Sequence, residues 1–214
     1  MRFRRISTYS VYEFYIGYIV ELDGAWMKIL GIMGSPRLGG NTDLLMDEAL
    51  KGARSQGAFA EKIIVDELDI APCREICGCM KDGRCVIRDD MDDIYQSLEE
   101  ADALIIGSPI FFYGLPSQLK ALVDRCQALW ARKYVLKQEP PTQGRKGAFI
   151  AVGATKGGNL FDGSKLTVKY LFDAIGFDYT GELFVWGVDK QGEVKNHPTA
   201  MADAYELGKK IAGR

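Results

Sequence analysis

The chain has 214 residues, enough for one α/β domain or a domain with a modest extension, and its 47% apolar and 26% charged residues suit a globular protein with a full core. A formal net charge of −2 without a basic block argues against nucleic-acid binding driven by phosphate neutralisation. No run of roughly 18 apolar residues is present, so no membrane span is expected. With a single histidine, His197, mechanisms that need a buried His base or several His ligands are nearly excluded.

Residues 1–26 differ from the rest and carry seven aromatics, Phe3, Tyr9, Tyr12, Phe14, Tyr15, Tyr18 and Trp26. The basic start Met1-Arg-Phe-Arg-Arg5 hints at a signal peptide. Glu13 interrupts the apolar run, however, and no small-residue cleavage site follows. These residues read as an extension outside the core, or as an added strand or arm for oligomer contacts. The domain proper is expected over 27–214.

From Met27 the pattern is strand then helix, repeated. The first strand, 28–34, runs into Gly34-Ser-Pro-Arg-Leu-Gly-Gly-Asn-Thr42, and a helix follows with Met46, Ala49, Leu50 and Ala53 on one face. A phosphate needs converging backbone N–H groups, hydroxyl donors and the positive end of a helix. The glycines, Gly40 among them, let the backbone approach closely. Ser35, Asn41 and Thr42 can donate hydrogen bonds, Asn41 can also cap the helix, and Arg37 adds a charged donor. Neither a Walker element nor Gly-x-Gly-x-x-Gly is present, which argues against those nucleotide sites.

The second strand is expected at 60–68. After it come Cys73, Cys77, Cys79 and Cys85, four of the five cysteines, within thirteen residues. A secreted disulfide scaffold would spread them along the chain, so the cluster reads as metal binding or redox chemistry in a cytoplasmic protein. Four thiolates on a short glycine-bearing loop can wrap a cubane cluster; zinc on the same sulfurs, or a thiol or disulfide role, are the alternatives. Gly78 is the residue expected to absorb backbone strain between Cys77 and Cys79. Asp89-Asp-Met-Asp-Asp93 is expected to open the next helix, where carboxylates favour the dipole.

A third strand, 103–108, ends in Pro109, Ile110, Phe111, Phe112, Tyr113 and Gly114, an apolar loop suited to a planar ring. Its helix carries Leu119, Leu122, Val123 and Cys126 on one face, which makes Cys126 a core residue rather than a ligand. Residues 132–146, with Pro140 and Pro141, read as a surface loop. The fourth strand, 147–153, leads into Gly153, Ala154, Thr155, Lys156, Gly157 and Gly158, where glycines permit close approach to a ligand edge. A helix with Val168, Leu171, Phe172 and Ile175 follows, then a fifth strand, 180–187, and a last helix with Met201, Ala204, Tyr205 and Gly208. Continuous apolar runs such as Ala103-Leu-Ile-Ile106 mark parallel strands buried on both faces. Five strands alternating with helices predict a doubly wound α/β fold, flavodoxin-like, of order 2-1-3-4-5, with a cysteine-bearing loop after the second strand. The three loops then share one sheet edge and outline a site for a phosphorylated, flat, apolar ligand, a description that FMN fits.

Met27 to Thr42 resembles the opening of NADPH-dependent FMN reductases. Pro72-Cys through Cys85-Val-Ile-Arg-Asp-Asp-Met91 resembles the cysteine segment of the iron–sulfur flavoproteins in that superfamily. Ala101 to Pro109 and Gln118 to Arg125 match as well, so the likeness covers residues 27 to about 212. It implies an FMN phosphate on Ser35, Arg37, Asn41 and Thr42. The isoalloxazine would lie between 109–114 and 153–158, and a 4Fe-4S cluster on the four cysteines. The flavin would carry the chemistry without a catalytic side chain. The likeness further implies electron transfer between a one-electron donor such as ferredoxin and an acceptor, or NAD(P)H-dependent reduction of flavin or quinone, in a homodimer or homotetramer. A zinc-holding module without enzymatic activity is the remaining reading. The family's compact motif places its second cysteine where this chain has Ile76; here Cys77 takes that role one residue late.

Overall fold

The computed structural model describes residues 26–140 and 142–213. The extension read at 1–26 lies outside them except for Trp26, which is exposed. The strands are β1 (Lys28–Met33), β2 (Phe59–Ile64), β3 (Ala103–Pro109), β4 (Lys146–Gly153) and β5 (Asp178–Trp186). The helices are α1 (Asn41–Arg54), α2 (Met91–Glu100), α3 (Ser117–Arg125), α4 (Asp162–Ile175) and α5 (Ala200–Ala212). All strand pairs are parallel, in the order β2-β1-β3-β4-β5, as the alternation predicts.

Alternate residues of the central strands enter two cores. Leu30, Ile32, Leu104, Ile106, Phe149 and Ala151 face α2, α3 and α4, against Ile94, Leu98, Leu119, Leu122, Val168 and Phe172. Ile29, Ala103, Ile105, Ala148 and Ile150 face α1 and α5, against Leu45, Met46, Leu50, Ala204 and Ile211. Burial on both faces explains why these strands read as unbroken apolar runs. On the second face α1 and α5 cross closely: a Cβ at Gly208 would stand 1.7 Å from the Ala49 carbonyl oxygen, and one at Gly52 2.0 Å from that of Tyr205.

Two stretches differ from the sequence reading. The second strand stops at Ile64, and Val65–Glu67 is a 3-10 turn. The stretch read as a surface loop from 132 begins as helix: Gln127–Trp130 continues α3 after Cys126, and Ala131–Val135 closes it as a π turn. Polar residues there looked solvated, yet Arg145 is 3% exposed and its guanidinium donates to the carbonyls of Leu98 and Ile175, the last turns of α2 and α4. Oriented carbonyls at two helix ends hold the buried cation there.

Candidate functional site

Parallel strands send their following loops to one edge, and there the loops after β1, β3, β4 and β5 enclose a cavity of 140 Å³. Of the expected residues, Ser35, Arg37, Gly40, Asn41, Thr42, Pro109, Ile110, Phe111 and Ala154 line it. Pro36, Val152, Val188 and Asp189 join them. Val188 and Asp189 carry no glycine or hydroxyl signature. The signal for them was topological, because a fifth parallel strand must end at the same edge.

The loop after β1, read as a phosphate cradle, is held by one long-range bond and by local ones. Gly34 donates its N–H to the Gly107 carbonyl at 2.7 Å, continuing the β1–β3 ladder into the loop, and a Cβ there would stand 2.4 Å from Leu119 Cδ2. Ser35 is buried, and its Oγ accepts the Arg37 N–H at 3.2 Å, leaving the hydroxyl hydrogen free to donate. Gly39 takes a left-handed φ of 66° and donates to Asp43 at 2.8 Å. Gly40 occupies the N-cap of α1, with no side chain capping that helix. The first-turn N–H groups therefore stand open beside the cavity that Gly40, Asn41 and Thr42 line, an arrangement that suits an anion. A Cβ at Gly40 would meet the Arg37 carbonyl oxygen at 2.8 Å. The cradle thus fits an FMN phosphate by its open donors and by the tight backbone around it.

Asn41 is committed elsewhere. Its Nδ2 donates to the Lys190 carbonyl at 2.9 Å and its Oδ1 accepts the Val194 N–H at 3.1 Å, tethering the loop after β5 to the phosphate loop. Arg37 reaches the same loop, donating to the Asp189 carbonyl at 3.1 Å. Beneath the loop, Lys62 pairs with Asp43 and Asp47, each at 2.6 Å. Partial burial opposes the charge on Lys62, yet its hydrogen bonds to the two carboxylates hold its pKa above the ordinary lysine value. The cation offsets the Asp43 charge that would otherwise repel an anion.

Phe112, Tyr113 and Gly114 stand outside the cavity lining. Phe111 and Gly114 exchange N–H···O bonds of 3.0 and 2.9 Å around a tight turn, with Phe112 and Tyr113 at φ 49° and 61°. That turn favours Asn-Gly, and non-glycine residues so held cost about 1–3 kcal/mol each. Phe112 is 105% exposed, so its ring points to solvent. Gly153, Thr155, Gly157 and Gly158 also stand outside the lining. A Cβ at Gly157 would come within 3.2 Å of the Tyr113 hydroxyl, so the two flanking loops lean on each other.

The cysteine segment follows β2. Cys73 and Cys77 are exposed, Cys79 and Cys85 half-buried, and all are free thiols. Cys73, Cys77 and Cys79 line an open hollow of 480 Å³. Burial pushes the Cys79 thiol up, and the sulfurs of Cys85, Cys73 and Cys77 push the same way, so the four lie within electrostatic reach. Among the described residues, no three His, Cys, Asp or Glu side chains converge as ion ligands. The donor set fits a sulfur-held group in kind and place, and the loop has to draw its sulfurs together around one. Strain falls on Glu75 (φ 51°) and Cys77 (φ 59°). Gly78, expected to absorb it, is ordinary αR backbone; its role is close approach, since a Cβ there would stand 2.4 Å from Val86 Cγ1. Cys126 is a core residue, 2% exposed, its thiol pushed up to about 12 by burial. Asp89 does bond the Met91 N–H at the start of α2, but its main partner, unseen in the sequence, is the buried Arg125 at 2.6 Å.

The family model described as NADPH-dependent FMN reductase matches residues 27–167. An iron–sulfur flavoprotein of Methanocaldococcus jannaschii is 35% identical over 196 residues, covering 87% of this chain and 96% of its own length. One from Methanosarcina thermophila is 35% identical over 147 residues, covering 69% and 72%. Among solved structures, an NAD(P)H:quinone oxidoreductase from Methanothermobacter marburgensis superposes with a TM-score of 0.70 at 13% identity, over 89% of this chain and 98% of that one, a likeness of fold.

Proposed function

The chain belongs to the iron–sulfur flavoprotein family, within the NADPH-dependent FMN reductases of the flavodoxin-like superfamily, and from that premise we propose that this flavin-dependent oxidoreductase is an electron-transfer protein. FMN would sit in the cavity at the sheet edge, and a 4Fe-4S cluster on Cys73, Cys77, Cys79 and Cys85. The observation that carries the reading is the meeting of the loops over the uncapped start of α1. Ser35, Arg37, Gly40 and Thr42 would hold the phosphate, with Asn41 keeping the neighbouring loop in place. Pro109, Ile110, Phe111 and Ala154 would flank the ring, and Phe112 to Gly114, Gly153, Thr155, Gly157 and Gly158 would frame the mouth.

When bound, FMN exchanges one or two electrons and a cluster one at a time, so the pair would join a one-electron donor such as a ferredoxin to a two-electron acceptor. The chain's own part is to bind, orient and shield. Among the described residues, Arg37 and Asp189 are the charged members of the cavity lining. A second reading, NAD(P)H-dependent reduction of flavin or quinone without a cluster, is favoured by sulfurs that do not converge.

Anaerobic purification with a visible spectrum and iron, zinc, sulfide and flavin analysis separates these. The expected composition is one FMN and about four irons per chain. Cys79→Ser is expected to lose the iron and keep the FMN. Loss of both refutes separate sites, and a colourless zinc protein refutes the flavin reading. An iron-free yellow protein bleached rapidly by NAD(P)H establishes the second reading in place of the first.

A further inference from the structure

Residues 72–86 hold all four clustered cysteines but only one helical turn, Cys79–Asp82. The path of this segment is set from outside, by one helical stretch. Arg125, the last residue of α3, has a fully buried side chain. Its Nη1 donates to the Ala71 carbonyl at 2.9 Å and to Asp89 Oδ2 at 2.6 Å. Its Nη2 donates to the Ile87 carbonyl and to Asp89 Oδ1, each at 3.1 Å. Ala71 and Ile87 bracket the segment, so one guanidinium ties its entry to its exit. The Arg125 Nε–H is buried and has no partner.

Seven residues on, in the π turn, Arg132 donates its Nε–H to the Gly83 carbonyl at 2.8 Å and ion-pairs with Glu99. Gly83 (φ 75°) ends the turn that begins at Cys79, bonding back to its carbonyl at 2.8 Å. A Cβ at Gly83 would stand 2.4 Å from Arg132 Cγ. Asp124 and Gln127, on the same stretch, line the hollow with Cys73, Cys77 and Cys79.

We infer that Arg125 and Arg132 are the positioning residues of the cysteine segment, Arg125 closing its base and Arg132 fixing its middle turn, so that the four cysteines are held on one anchored loop. A planar fork with five donors can bridge several carbonyls and a carboxylate at once; an ammonium cannot span them. The inference deepens the proposed cluster site and rests on that reading only for what the segment holds.

The test is the rate at which iodoacetamide alkylates each cysteine, mapped by mass, in the full FMN-loaded chain under anaerobic reducing conditions, as isolated and after chelation. Arg125→Gln and Arg132→Gln are each expected to speed alkylation of Cys79 and Cys85 about tenfold, to leave Cys126 protected and to keep FMN affinity within about twofold. Arg125→Lys, which retains the charge but not the fork, is expected to behave as Arg125→Gln. Leu171→Ala, on the buried face of α4, loosens the fold generally and is expected to leave the Cys79 and Cys85 rates unchanged. Wild-type rates in both Gln variants overturn the inference. So does a parallel rise at Cys126, full rescue by lysine, or equal acceleration in Leu171→Ala. A chain isolated without metal refutes the cluster, and the chelated comparison still decides the positioning.

Discussion

At the residue scale, the side chains that organise the site are charged groups taken out of water. Asp89 shows what that implies for pH. Burial alone would raise its pKa, but the Arg125 hydrogen bonds and the N–H groups of Ala71 and Met91 hold it below the ordinary carboxylate range. A carboxyl depressed by folding contributes stability above its unfolded pKa of about 3.9, and that contribution is lost as pH falls through the lower folded value. Asp89→Asn is therefore expected to destabilise the chain by about 3–5 kcal/mol at pH 7, leaving Arg125 buried without its counter-charge. The gap to the wild type begins to narrow below about pH 4, where the unfolded carboxyl protonates, and closes only once the pH has passed the lower folded value. Urea unfolding at pH 7 and pH 3 checks this, and a gap that stays constant contradicts it. None of this was legible in sequence. Arg125 sits beside an apolar stripe and reads as a solvated helix residue, and its partner lies 36 positions away. Asn41 was legible only by type: an amide in a phosphate loop reads as a donor to the ligand, whereas its two ends are occupied by Lys190 and Val194.

At the element scale, the sequence carried more. Strands buried on both faces must be apolar throughout, and helices covering them must show one apolar stripe. Those patterns placed all five strands within a few residues and marked the apolar stripes of α1, α3, α4 and α5, as well as the loops at the sheet edge, whereas α2 was announced only by its acidic start and the extension of α3 to Val135 was read as loop. The α1–α5 crossing was half visible, because Gly208 fell on the apolar stripe but its closeness to Ala49 is tertiary. Gly208→Ala places a methyl group against that carbonyl and is expected to cost about 1–3 kcal/mol as the helices separate. For a chain of this size Tm falls by roughly 2–12 °C. Thermal unfolding reads it directly; an unchanged Tm means that the helices part without cost. Because α1 begins at the phosphate loop, the displacement reaches the site from its far end.

For the whole molecule, β1 lies inside the sheet between β2 and β3, and the Lys28 N–H is anchored on Asp102 at 2.8 Å. Among the described residues, the buried members of both cores begin at that strand. A chain shortened to begin at Trp26 is thus expected to keep its FMN affinity within about twofold, measured by flavin fluorescence quenching. Loss of flavin binding would make residues 1–25 part of the site. No helix among the described residues is long and apolar enough to cross a membrane. The turn at Phe112 and Tyr113 adds a different consequence. Two aromatic residues occupy left-handed positions that Asn-Gly would fill without strain, and one ring is wholly in water. By folding free energy alone they are the wrong residues for that corner. The reason for a ring at Phe112 is therefore expected to lie outside the fold, in whatever the protein meets there.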